Sequence, residues 1–197
     1  MKHASFPIVA ALFAAASSPC AAINAVQNPD MDGGIGGWSA SESGGYVIGE
    51  SYFGSPDAGS MRVQASSDDA SATAFQCVDV HRWRTLDIGA RLLQVTLAGT
   101  GSYAFGVDVY DTAGCHGNLL AGVALEPVGN PVPGSNGSTW IDADLPGVAL
   151  PVGATSARIY FSVSASLPGM PGVAGFLVDH VQVGPREIIF DDGFGDP

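Results

Sequence analysis

Two carboxylates flank one apolar residue in Asn28-Pro29-Asp30-Met31-Asp32, and Gly33, Gly34, Gly36 and Gly37 lead on to Trp38. Glycine admits backbone conformations that other residues avoid. The stretch therefore predicts a tight turn that presents acidic oxygens, with an aromatic anchor at its exit. Such a turn suits a structural cation site or the rim of a ligand site. Thiol chemistry rests on Cys77 and Cys115, with His116 directly after the latter. Zinc sites need three or four protein ligands, and His81 and His180 have no ligand-like spacing to that pair, so a disulfide is expected. Catalytic patterns are missing. Glu42, Glu50, Glu126 and Glu187 sit in no recognisable acid–base setting, and there is neither a Gly-x-Ser-x-Gly elbow nor a His-Glu-x-x-His run. His81 and His116 are the bases that a Ser–His–Asp arrangement would have to use, and no motif accompanies either. The glycine run lacks the lysine and helix of a phosphate loop. The chain is expected not to be an enzyme.

Binding chemistry is better represented. Pyranose rings pack their C–H faces on aromatic rings while polar side chains bond the hydroxyls. Trp83, Tyr110, Tyr52 and Trp140 are the ligand-binding candidates, with Trp38, Tyr46 and Phe53 also in reach of the argument. Trp83 lies in His81-Arg82-Trp83-Arg84, which resembles an exposed turn after a strand. Tyr110 alternates against Val107 and Val109. Trp38 and Trp140 equally suit core anchors, because tryptophan is highly buried on average.

Strands must position these groups. After the signal segment no run shows apolar residues at helical spacing between caps. Short alternating segments appear instead: Ser60 to Ala65, Ala72 to Val80, Arg91 to Ala98, Ser102 to Tyr110, Thr155 to Ala165 and Gly175 to Val183. Tyr46 to Glu50, Leu119 to Leu125 and Ser138 to Asp144 are weaker candidates. About nine strands without intervening helices predict an all-β, antiparallel sandwich with one face of each sheet in water. Gly/Pro-rich connections such as Gly129 to Gly137 and Leu167 to Gly172 are expected to be exposed loops.

Residues 1–22 carry the plan of a secretory signal peptide: Lys2 and His3, the apolar run Ile8 to Ala16, then Ser17-Ser18-Pro19-Cys20-Ala21-Ala22. The apolar run is about half the ~20 residues of a membrane span, and no later stretch is long enough. Secretion, to the extracellular space, periplasm or cell surface, is the expected location. Residues 24–184 form the predicted domain, and 185–197 a short apolar and then acidic tail. Once the signal is removed, six arginines face 19 acidic residues, a net charge of −13. Such a surface repels phosphate backbones and anionic lipids, so nucleic acid is excluded as a partner.

Asn28 to Asp32 followed by Gly36-Gly37-Trp38 resembles the "Asn-Gly-x-Phe-Glu … Gly-Trp" opening of galactose-binding-like jelly rolls, the carbohydrate-binding-module type of β-sandwich in exported bacterial proteins. Gly59-Ser60-Met61-Arg62-Val63 resembles their "Gly-Ser-x-x-Val" strand. Trp140-Ile141-Asp142 is similar to the Trp that leads into one of their strands. Phe176 to Val183 resembles their closing "Asp-Asp-Val-x-Leu" strand. The resemblance implies a jelly-roll sandwich and a structural calcium, held by Asp32 and Asp179 with Asp30 as a third ligand. Here Asp32 replaces the usual Glu and His180 the usual second Asp. The function implied is a non-catalytic module that recognises carbohydrate or another surface polymer. The alternatives are an adhesive surface protein that binds protein partners and a secreted hydrolase with an unrecognised site.

Overall fold

The computed structural model describes residues 24–50, 59–66, 70–98, 100–125, 140–166 and 173–185. The predicted signal segment, Tyr52, Phe53 and the tail beyond Pro185 lie outside them. The described chain is a β-sandwich of ten strands, β1 (Ser39–Ser43), β2 (Gly45–Glu50), β3 (Ser60–Ala65), β4 (Ser71–Asp79), β5 (Thr85–Ala98), β6 (Thr100–Tyr110), β7 (Leu119–Leu125), β8 (Ile141–Ala149), β9 (Ser156–Ser166) and β10 (Val173–Pro185), with one 3-10 turn, η1 (Ala113–Cys115). Two antiparallel five-stranded sheets stack in the orders β1-β4-β9-β6-β7 and β2-β3-β10-β5-β8. The chain passes back and forth between them, as in a jelly roll. The strand missed by the sequence reading is β1. Its five residues, SASES, are all exposed, so no apolar alternation marks it.

Alternation builds the core. In β4 the buried positions Ala72, Ala74, Gln76 and Val78 interleave with Thr73, Phe75, Cys77 and Asp79 on the other face. Phe105, Val107 and Val109 of β6 and Ile159, Phe161 and Val163 of β9 point inward in the same way. Phe161 sits at the centre, stacked on Phe105 at 5.1 Å and packed against Trp38 at 5.6 Å and Phe176 of the opposite sheet at 6.3 Å. Aromatic pairs at such separations add about 0.5–1.5 kcal/mol each beyond their burial. Trp38 is therefore a core residue, the second of the two roles its sequence context allowed.

The glycine-rich opening is the folded turn expected. The Asn28 side chain donates to the Gly34 carbonyl at 2.6 Å, the Gly34 amide to Met31 at 3.0 Å and the Trp38 amide to Ile35 at 3.0 Å. Gln76, buried on β4, fastens it: the Gln27 amide donates to its carbonyl, and its own amide donates to the Gln27 and Gly37 carbonyls. The entering chain also runs along β10. Ala25 N–H donates to Val183 O at 2.7 Å, and Val181 N–H to Pro29 O at 3.0 Å. The two ends of the sandwich meet there.

Candidate ligand-binding face

The outer face of the β1-β4-β9-β6-β7 sheet gathers polar and aromatic side chains from its three central strands. Register sets Phe75 beside Tyr160, Cys77 beside Arg158 and Asp108 beside Arg158 on the other flank. Arg158 donates from its Nη2 to the Asp108 carboxylate. Its guanidinium carbon lies 5.8 Å from the centre of the Phe75 ring and 5.7 Å from that of Tyr110. One cation is thus held between two rings and fixed by one acid. Burial pulls the Arg158 pKa down, but the Asp108 hydrogen bond and the nearby tyrosines outweigh it and hold the pKa above its ordinary value. Burial, reinforced by the Asp108 charge, raises the Tyr160 phenol. It stays neutral at physiological pH, able to donate and accept.

Small residues surround this group. Tyr160 pairs with Gly106 on β6, and a Cβ there would lie 2.7 Å from the ring and 2.6 Å from the Val123 carbonyl oxygen. Glycine lets the ring lie over the strand. Farther along, Thr73 and Ser162 hydroxyls bond at 2.9 Å, and Ser102 and Ser164 at 2.6 Å. The surface is therefore a run of hydroxyls and small side chains from which three aromatic residues and an Arg–Asp pair stand out.

One end of the face is walled. The Cys77–Cys115 disulfide joins β4 to the segment around η1, across 38 residues. Beneath it the Cys115 amide donates to Ser156 Oγ at 2.9 Å, and Ser156 Oγ donates to the Thr112 carbonyl at 2.6 Å. Asp111 accepts from the Asn118 amide at 2.9 Å and side chain at 2.7 Å. Those bonds from Asn118 hold the Asp111 carboxyl below its ordinary value. The expected disulfide thus pins a wall next to Tyr110.

The sequence candidates are scattered over the molecule. Tyr110 alone joins this face. Trp83 is half-buried and packs against the core, its amide bonded to the Val80 carbonyl. Trp140 is half-buried at the head of β8, in the other sheet. Phe75, Asp108, Arg158 and Tyr160 were missed as site residues. Their alternation against inward neighbours was visible within each strand, but register, which joins them, was not. His81 bonds Asp79 through Nδ1 and accepts from Arg82 at Nε2, 2.9 Å away. His116 is exposed. Among the described residues, neither is hydrogen-bonded to a serine.

The expected metal ligands divide. Asp30 and Asp179 do come together, joined by His180, with ligand atoms within 4.8 Å of one another. Asp32 is exposed and lies outside this group. His180 Nδ1 lies 2.7 Å from an Asp30 oxygen, and Asp179, fully buried, accepts the His180 amide at 2.8 Å. Calcium takes six to eight oxygen ligands. This group offers an imidazole nitrogen, the Asp30 carboxylate already bonded to it, the Asp179 carboxylate that accepts the His180 amide, and a Pro29 carbonyl already bonded to Val181. The donor set does not fit calcium. It fits a direct clasp between the opening turn and β10.

No family model and no curated protein matches the chain. Solved structures do. The enzymatically active domain of bacteriophage CBA120 tailspike protein 4 superposes with a TM-score of 0.61 at 22% identity, over 82% of this chain and 21% of that one. The chain thus spans about a fifth of the tailspike protein it matches. TmCBM61, in complex with β-1,4-galactotriose, gives 0.53 at 17% identity over 83% and 99%. A xylan-binding domain of carbohydrate-binding module family 22 gives 0.51 at 13% identity over 85% and 98%. The chain has the β-sandwich fold of carbohydrate-binding modules.

Proposed function

We propose that this chain is an exported, non-catalytic module that binds a neutral polysaccharide on the outer face of the β1-β4-β9-β6-β7 sheet. The Arg158–Asp108 pair framed by Phe75, Tyr110 and Tyr160 carries the reading. Rings offer apolar area to the C–H faces of sugars, and an adjoining guanidinium and carboxylate bond neighbouring hydroxyls. Because Asp108 neutralises Arg158, the face has no surplus positive charge for an anionic polymer, and the acidic chain around it repels one. A non-catalytic role agrees with the carboxylates. Glycoside hydrolysis needs two carboxyl groups about 5–10 Å apart, and Asp108 is committed to Arg158. One structure of this fold holds β-1,4-galactotriose and another is a xylan-binding domain, which supports neutral glycans as the first ligands to test. No helix among the described residues is long and apolar enough to cross a membrane.

Affinity electrophoresis in gels containing galactan, xylan or other neutral glycans tests the reading. The unmodified chain is expected to be retarded by at least one, and Tyr110→Ala and Arg158→Ala to lose about tenfold in affinity each, the effect of roughly 1.4 kcal/mol. Retardation by none, or variants that bind as the parent does, would refute it.

A further inference from the structure

Four strands form the edges of the two sheets, and three of them are guarded. β1 carries Glu42, whose carboxylate also accepts the Val47 N–H of β2 at 2.7 Å, and β8 carries Asp142, Asp144 and Pro146. Charged residues and proline on an edge discourage further strand pairing. The fourth edge, β7, reads Leu-Leu-Ala-Gly-Val-Ala-Leu and has neither. Leu119 is 58% exposed, Leu120 37% and Val123 40%. Its described ladder runs to β6 on one side, so alternate backbone N–H and C=O groups point away from the sheet.

We propose that β7 pairs antiparallel with β7 of a second copy of this chain. The sequence complements itself about its middle residue. With Gly122 opposite Gly122, Ala121 faces Val123, Leu120 faces Ala124 and Leu119 faces Leu125, so each cross-strand pair is apolar and most match small with large. Directly opposed like charges destabilise a ladder, and this register has none. The chain's formal net charge is −12, so two copies repel over most of their surfaces and can approach only where charge is absent. A two-fold axis through Gly122 makes the contact self-complementary and closed. It also yields one continuous ten-stranded sheet with both aromatic faces on the same side. That consequence, and only that, rests on the carbohydrate reading: a long polymer would meet two binding faces at once.

Sedimentation velocity over a wide dilution series tests the pairing without sugar, so its failure is distinct from failure of the binding reading. The expected result is a monomer–dimer equilibrium that Val123→Lys weakens at least tenfold. Gly122→Cys places two thiols across the axis and is expected to give a covalent dimer on air oxidation. A chain that stays monomeric at every concentration overturns the proposal. So does a dimer indifferent to Val123→Lys, or one in which Gly122→Cys does not cross-link. Where glycan binding is established, affinity for a long polymer should fall about tenfold in Val123→Lys while affinity for a short oligosaccharide is unchanged. Equal losses on both would remove the bivalent role.

Discussion

Gly106 lets Tyr160 lie over β6, within the proposed binding face. An added methyl would overlap the ring, but it would also press on the Val123 carbonyl, which belongs to backbone and yields little. Gly106→Ala should therefore displace Tyr160 and cost about 1–3 kcal/mol in stability, the usual range for overpacking. Tyr160→Phe removes only the hydroxyl and leaves the ring in place. Comparison of the two separates the ring's position from its hydrogen bonds. Denaturant melts should show Gly106→Ala clearly destabilised and Tyr160→Phe nearly unchanged. Titration with a bound glycan should show both weakened if the phenol contacts sugar. A Gly106→Ala chain as stable as the parent would mean that Tyr160 does not depend on the glycine.

At the scale of elements, the wall from Asp111 to Asn118 depends on two restraints of different kinds. The disulfide limits the unfolded chain, which for a loop of this length is worth ~4 kcal/mol in the chain-entropy account. Asp111 orders the wall locally. Its folded pKa is depressed by the Asn118 bonds, so its contribution is full above its ordinary value of 3.8 and disappears as pH falls through the lower folded value. The Asn118 backbone and side-chain amide resonances should therefore shift below pH 3.8, while core amides do not. Constancy of those resonances down to the acid unfolding limit would show that Asp111 does not hold the wall. A Cys77→Ala, Cys115→Ala chain should melt lower and weaken glycan binding through Tyr110. This level also marks how far the sequence could be read. Alternation identified most strands and the inward side of each, because a half-buried strand records its burial every second residue. It did not reveal β1, which buries nothing. Nor did it reveal the Phe75, Asp108, Arg158 and Tyr160 group, since neighbours across a sheet are fixed by register between segments as much as 85 residues apart, as with Phe75 and Tyr160.

At the scale of the whole molecule, two of the three expected acids, Asp30 and Asp179, meet where the ends of the sandwich join, and Asp32 stands apart from them. Asp32 and Asp30 are nearly equivalent in sequence. The turn reverses between them at Met31, which is buried with φ of 51°, so the two carboxylates diverge and only Asp30 reaches β10. His180, also at positive φ, lies in the irregularity of β10 between Asp179 and Gln182 and turns its ring to Asp30. A hydrogen-bonded clasp and a cation predict different responses to the same treatments. Asp32→Ala should change stability by less than about 0.5 kcal/mol, the ordinary effect of an exposed substitution. Asp179→Ala should cost roughly 2–3 kcal/mol, because it removes a buried acceptor and strands its donors. Addition of EGTA should leave the melting temperature where it was, since a ligand that binds only the native state stabilises by mass action and its removal must lower the melt. A fall of several degrees with EGTA, reversed by calcium, would show that the cation displaces the Asp30–His180 bond and restores the ligand set that the opening and closing motifs suggest.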